Sequence, residues 1–463
     1  MEAPLIVLNL FFPSIHLSLI HLLKSLYFAL FSWIQQNVAQ FAFFTQHPTV
    51  SSFTKIIHGL NTANVSLDSG EVTMIHTIVR DQVPSLSSEY RPPWWLALGD
   101  LQTIWSSVFH HKYVACINYE RKYIIVPDGG CISLDITPPV STALPPNVPV
   151  VVVLHGLLGG SHASYVRSAV SHITRKTAQG GLGLRVVVFN LRGCSRTPVT
   201  SSLLYHPGMT DDLRSVILYV SSQFPHSKLF GLGFSLGAGY LTNYLSEEGD
   251  ASPLSAAFVV SNVWDYAGCS LELSHGRLIS RILYNPVLGL GHQKVIARNR
   301  EAFKSHPRIA QILEKRIMTM SWISAHFTAH LEGIDPLQFL HNTSCAKSIA
   351  GVRIPLICLN ARDDPLLPES YLPVNQVKAS KHVVMVVTDR GGHLGWVTAN
   401  TERKREMDVW YTPAIIEYFR AMLRIREDTP RITPRATVSD KLGMVRQVGR
   451  PNVGFLEVLE KDI

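Results

Sequence analysis

The chain has 463 residues, of which 46% are hydrophobic and 16% charged, and a net charge of +8. That length allows one large catalytic domain with appendages, or two domains, and the composition is apolar for a soluble protein. Six scattered cysteines form no CxxC or Cys/His cluster, no P-loop or Rossmann fingerprint occurs, and the positive charge is not gathered into an aromatic-interleaved patch, so the sequence gives no support for a zinc site, a disulfide framework, a cofactor or nucleic-acid binding.

Residues 3–54 carry one charge, Lys24, and no acid. Two apolar blocks, 5–23 and 26–44, are each near bilayer-spanning length, with Pro13, His16, His21 and Lys24 as interruptions. Residues 1–54 therefore read as a hydrophobic helical membrane anchor, either spanning the bilayer or lying in its interface. The competing reading is a buried helical hairpin of the globular part. Residues 55–92 read as a polar connector, followed by an aromatic-rich stretch at 93–105. Short strands are expected at 113–118, 122–126 and 131–136, with Asp128-Gly129-Gly130 as the turn between the last two.

From residue 148 strand and helix signals alternate, the signature of a mostly parallel sheet covered on both faces. Strands are expected at 150–154, 185–189, 228–234, 256–260, 354–359 and 382–388, with helices between them that include 211–222 and 408–423. The alternation lapses at 266–345, which is helical in texture. Ligands in such sheets sit beyond the carboxyl ends of the strands, so this insertion is expected to cap the site. Its stretch 277–316 holds nine Lys or Arg against Glu301 and Glu314. That stretch is a solvated face on one reading and meets an anionic lipid surface on the other. Residues 424–463 form a basic, proline-punctuated tail, expected to be loosely ordered.

The chemistry centres on Gly233-Phe234-Ser235-Leu236-Gly237, a G-x-S-x-G match between an apolar strand and a helix-like stretch. A serine on so tight a turn presents its hydroxyl above the sheet, at the positive end of a helix. Serine becomes a nucleophile only when a base takes its proton and a third group orients that base. In this fold the partners follow in the order serine, acid, histidine. The turn after the strand at 354–359 offers Asp363 and Asp364. The turn after 382–388 offers His393 between glycines. Ser235, Asp364 and His393 are the expected triad, with Asp363 bracing the loop. The oxyanion hole needs two backbone N–H donors. Leu236 follows the nucleophile, and Leu157 stands in the turn His155-Gly156-Leu157-Leu158-Gly159-Gly160. His206 and Asp211 fit an H-x4-D acyltransferase pattern, but Asp211 also starts a helix, which explains an acid there.

The chain resembles the type-4 branch of the α/β-hydrolase superfamily, which includes membrane-anchored ABHD lipid esterases and fungal medium-chain ethyl-ester synthases. The resemblance spans about 92–423 and rests on Leu101-Gln102-Thr103-Ile104-Trp105, Asp128-Gly129-Gly130, the turn from His155, Asn190-Leu191-Arg192-Gly193-Cys194, the serine turn, Trp264-Asp265 and Gly391-Gly392-His393. Asp100 and Ile136 stand where the family usually has His and Trp. The resemblance implies an α/β-hydrolase domain at 93–423 that cleaves short- or medium-chain esters, monoacylglycerols or phospholipids, or transfers acyl groups to alcohols. It implies a membrane location and a lipid ester as substrate, and leaves the oligomeric state open. The rival from another class is a catalytically silent scaffold or lipid-binding protein on the same fold.

Overall fold

Val150–Leu154 shows how the sequence builds this protein: all five residues are buried, and alternate side chains enter different cores. Val150, Val152 and Leu154 pack on one side, Val151 and Val153 on the other, as the two-residue period of a strand requires when both faces are covered. The computed structural model describes residues 52–142, 144–399, 407–426 and 435–463.

Twelve strands of the described residues join in one sheet. In chain order they are β1 Thr54–Ile57, β2 Glu120–Ile125, β3 Cys131–Thr137, β4 Val150–Leu154, β5 Arg185–Asn190, β6 Leu229–Phe234, β7 Leu254–Val260, β8 Leu356–Ala361, β9 Val383–Thr388, β10 Thr437–Ser439, β11 Val445–Gln447 and β12 Arg450–Val458. Their order across the sheet is β1-β9-β8-β7-β6-β4-β5-β3-β2-β12-β11-β10. Strands β4 to β9 run parallel, and the outer strands add antiparallel. Helices Thr210–Gln223 and Leu236–Glu248 cover one face, and Ser164–Thr174 and Tyr411–Leu423 the other. The insertion after β7 is helical, from Tyr266–His275 to Pro336–Thr343, and lies over the carboxyl ends of the strands.

Three expectations are corrected. The stretch 55–92 is no connector: it gives β1, which pairs antiparallel with β9, and helix Ile75–Gln82, whose Ile75, Ile78 and Val79 are buried at helical spacing. Residues 113–118 form no strand; the Val114 carbonyl there accepts from the Arg167 guanidinium instead of a neighbouring strand. The tail is not loose over 435–463. There β12 pairs with β2, and Phe455 meets Tyr219 edge-on at 5.2 Å. The fold thus extends beyond both boundaries expected at 93 and 423. The anchor expected at 1–54 lies outside the described residues except for its last three. No helix among the described residues is long and apolar enough to cross a membrane.

Candidate active site

Four turns at the carboxyl ends of parallel strands converge. The turn after β6 carries Ser235 at φ 53°, ψ −118°, with its N–H donating to the Val260 carbonyl at 2.9 Å. Neither flanking glycine has a positive φ; the strain sits on Ser235 itself. The glycines are needed for space. A Cβ at 233 would lie 2.8 Å from the Ala238 Cα, and one at 237 would lie 2.5 Å from the Leu154 carbonyl oxygen.

The Ser235 hydroxyl lies 2.7 Å from Nε2 of His393, in the turn after β9. Nδ1 of His393 lies 2.8 Å from Oδ2 of Asp364, in the turn after β8. The other Asp364 oxygen accepts the N–H groups of Leu366 and Leu367 at 2.8 and 3.2 Å. All three side chains are buried. Asp363 does not reach the imidazole. Its Oδ1 accepts the Gly392 N–H at 2.9 Å, and its Oδ2 is buried without a hydrogen-bond partner. Burial pushes this carboxyl up to about 6.

Leu157 and Leu236 both line the cavity beside Ser235. Leu236 opens helix Leu236–Glu248, so its N–H has no partner within the helix. The preceding N–H, of Gly156, donates to the hydroxyl of the half-buried Tyr165 at 2.9 Å, which fixes the turn carrying Leu157. The cavity holds about 680 Å³ and is walled by helix Gly99–Val108 on one side and the insertion on the other, with Ile104, Leu273, Val287, Leu288 and Met320 among its apolar lining. Its size falls within the ordinary range of small-molecule sites.

Two supports have no local signal in the sequence. Thr103 accepts the His393 N–H at 2.8 Å while donating to the Gly99 carbonyl at 2.7 Å. Ser261, at φ 52°, accepts the Leu394 N–H at 3.0 Å. Thr103 stands in the Leu101-Gln102-Thr103 mark of the resemblance, the only hint of its place. The H-x4-D pair is not brought to Ser235. His206 Nε2 lies 3.0 Å from Glu332, and Asp211 pairs with Arg214 at 2.9 Å. Both line a separate polar cavity of about 360 Å³ around Arg192. All six cysteines are free, and four of them are buried.

A serine on a strained strand-to-helix turn, hydrogen-bonded to a histidine and through it to an acid beneath a helical cap, is the arrangement of the α/β hydrolases. The chain belongs to that family: the model described as "alpha/beta hydrolase fold" matches residues 149–398. It is 29% identical over 395 residues to a monoacylglycerol lipase of Saccharomyces cerevisiae, covering 76% of this chain and 85% of that one. It is 29% identical over 323 residues to phospholipase ABHD3 of Mus musculus, covering 69% and 76%. It is 30% identical over 293 residues to medium-chain fatty acid ethyl ester synthase/esterase 2 of S. cerevisiae, covering 59% and 62%.

Proposed function

We propose that this protein is a serine hydrolase of carboxylic esters of lipids, working through an acyl-enzyme on Ser235. The observation that carries the reading is the hydrogen-bonded relay Ser235–His393–Asp364, whose Ser235 and His393 line the apolar cavity. His393 takes the Ser235 proton as the hydroxyl attacks the ester carbonyl. Asp364 holds the imidazole with Nδ1 protonated and stabilises the imidazolium. The N–H groups of Leu157 and Leu236 bind the developing oxyanion. His393 then gives its proton to the leaving alkoxide, and the same imidazole activates water to release the fatty acid. The apolar lining takes the acyl chain, and each buried methylene contributes about 0.8 kcal/mol until the cavity is full.

The two apolar blocks, 5–23 and 26–44, anchor the catalytic part at a membrane, so substrate is drawn from lipid. Relatives named as a monoacylglycerol lipase and a phospholipase support the substrate class. Alcohol competes with water for the same acyl-enzyme, and the relative named as an ester synthase/esterase gives acyl transfer to alcohols some support. The test is release of fatty acid from medium-chain monoacylglycerols, glycerophospholipids and ethyl esters, with and without added alcohol, by wild type and Ser235→Ala. Release that survives in Ser235→Ala contradicts the reading. Ester synthesis that outpaces hydrolysis in aqueous alcohol makes the protein an acyltransferase.

A further inference from the structure

The two elements that wall the Ser235 cavity also carry apolar side chains on their outer sides. On helix Gly99–Val108 and its N-cap, Ile104 lines the cavity, while Leu98 and Leu101 are 61% and 41% exposed. On the insertion, Leu283 and Tyr284 line the cavity, while Leu278 and Ile282, four residues apart, are 66% and 67% exposed. Side chains at that spacing share one side of a helix. The two walls are tied together between these pairs. Asp100 receives Arg277 at 2.8 Å and the Tyr284 hydroxyl at 2.9 Å. The four exposed residues therefore flank a single seam over the cavity. Isolated exposed leucines are ordinary, but a cluster beside a ligand cavity is a recognised mark of an interaction surface.

We infer that this seam docks on an anionic lipid bilayer, with Leu98, Leu101, Leu278 and Ile282 entering the acyl boundary so that the cavity loads directly from the membrane. Where the chain enters the fold supports that partner. The apolar blocks 5–23 and 26–44, with Lys24 between them, precede Ser52, the first described residue of the fold. The Ser52 hydroxyl accepts the Arg390 N–H at 3.0 Å, and the Arg390 guanidinium holds the carbonyl of Ala97, the residue before Leu98. The second of the two apolar blocks, 26–44, thus ends eight residues before the chain joins the fold, one arginine side chain away from the seam. Phe53, next in the chain, is itself exposed. Charge supports the same partner. Arg281 sits on the seam segment beside Ile282, while Arg277 is held by Asp100, and 277–316 as a whole carries nine basic residues against two acidic ones. Cationic side chains beside apolar ones suit a surface of anionic headgroups over acyl chains. The inference rests on the lipid-ester reading only for what the cavity loads; docking itself is read separately.

The test uses the full chain in phosphatidylcholine vesicles with and without phosphatidylserine. A photoreactive p-benzoylphenylalanine is placed at position 101, 278 or 442. Leu442 is also exposed, but lies by the opposite edge of the sheet from β1. Docking predicts crosslinks to lipid acyl chains from 101 and 278, strengthened by phosphatidylserine, and none from 442. No lipid crosslink at 101 and 278, equal crosslinking at 442, or crosslinks only to a second copy of the chain overturns it. In parallel, L278D/I282D should lower hydrolysis of a long-chain ester in vesicles by about tenfold or more, since two apolar side chains lose their burial in lipid. Hydrolysis of water-soluble p-nitrophenyl butyrate should stay at the wild-type rate, which also shows that the variant is folded. A wild type that crosslinks as expected but hydrolyses neither ester sinks the hydrolase reading and leaves docking standing.

Discussion

Gly392 donates its N–H to the carboxylate of Asp363 at 2.9 Å, one residue before His393 on one loop and one before Asp364 on the other. The two loops are therefore joined by consecutive rungs: Gly392 to Asp363 through backbone, His393 to Asp364 through the imidazole. The adjacent aspartates thus hold separate partners, Asp364 the imidazole of His393 and Asp363 the backbone of the loop that carries it.

Asp364→Asn should lower kcat by roughly 10⁴-fold, as loss of a triad acid does elsewhere. Asp363→Asn keeps a carbonyl oxygen for the Gly392 N–H and should cost far less. Steady-state kinetics on p-nitrophenyl butyrate measures both. Equal losses, or the reverse order, contradict the assignment.

Asp363 also predicts a pH dependence of stability. Burial raises its pKa to about 6 in the folded chain, against about 3.9 for an unfolded aspartate. The folded state holds the extra proton between these values, so this residue makes the protein less stable as pH rises through that window. The stability difference, wild type minus Asp363→Asn, should therefore be largest near pH 4 and decline to a plateau above pH 6. Urea unfolding at several pH values reads it. A difference that grows with pH contradicts the shift.

Thr103→Val keeps the shape of the side chain but leaves the buried His393 N–H without its acceptor, which costs about 1–3 kcal/mol. The imidazole should then lose its alignment on Ser235, with kcat falling roughly tenfold or more while KM changes little. Thr103→Ser restores the hydroxyl and should restore the rate. Failure of serine to do so would assign Thr103 to packing alone.

The cavity predicts an acyl-length optimum. Up to the length that fills it, kcat/KM should rise by about fourfold per methylene and then fall, the equivalent of about 0.8 kcal/mol each. Val287→Trp narrows the lining and should move the optimum to shorter chains. A profile flat in chain length contradicts an enclosed acyl site.

How far the sequence could be read follows from how local each signal is. The six parallel strands are continuous apolar runs, and the serine turn is announced by glycines and its flanking elements. Ser235, Asp364 and His393 could be singled out because each lies just past a strand that can be recognised by itself. The supports could not. Thr103 meets His393 across 290 residues of sequence, and Ser261 meets Leu394 across 133. Such contacts exist only once the strands are ordered in the sheet. β1 and β12 were missed for a related reason. Each is short or mixed in polarity and gains its stability by pairing with β9 or β2, far away in the chain. At the serine turn the spacing is legible but its cause is not: the glycines answer to crowding by Ala238 and Leu154, while Ser235 bears the strained dihedral.

The central claim is that Ser235 is an activated nucleophile, and a fluorophosphonate tests it most directly. Intact-mass and peptide mass spectrometry of treated protein should show one adduct, on the peptide containing Ser235, with none in Ser235→Ala and strong slowing in His393→Ala. Folded wild-type protein that takes up no label, or takes it up at another residue, contradicts the account.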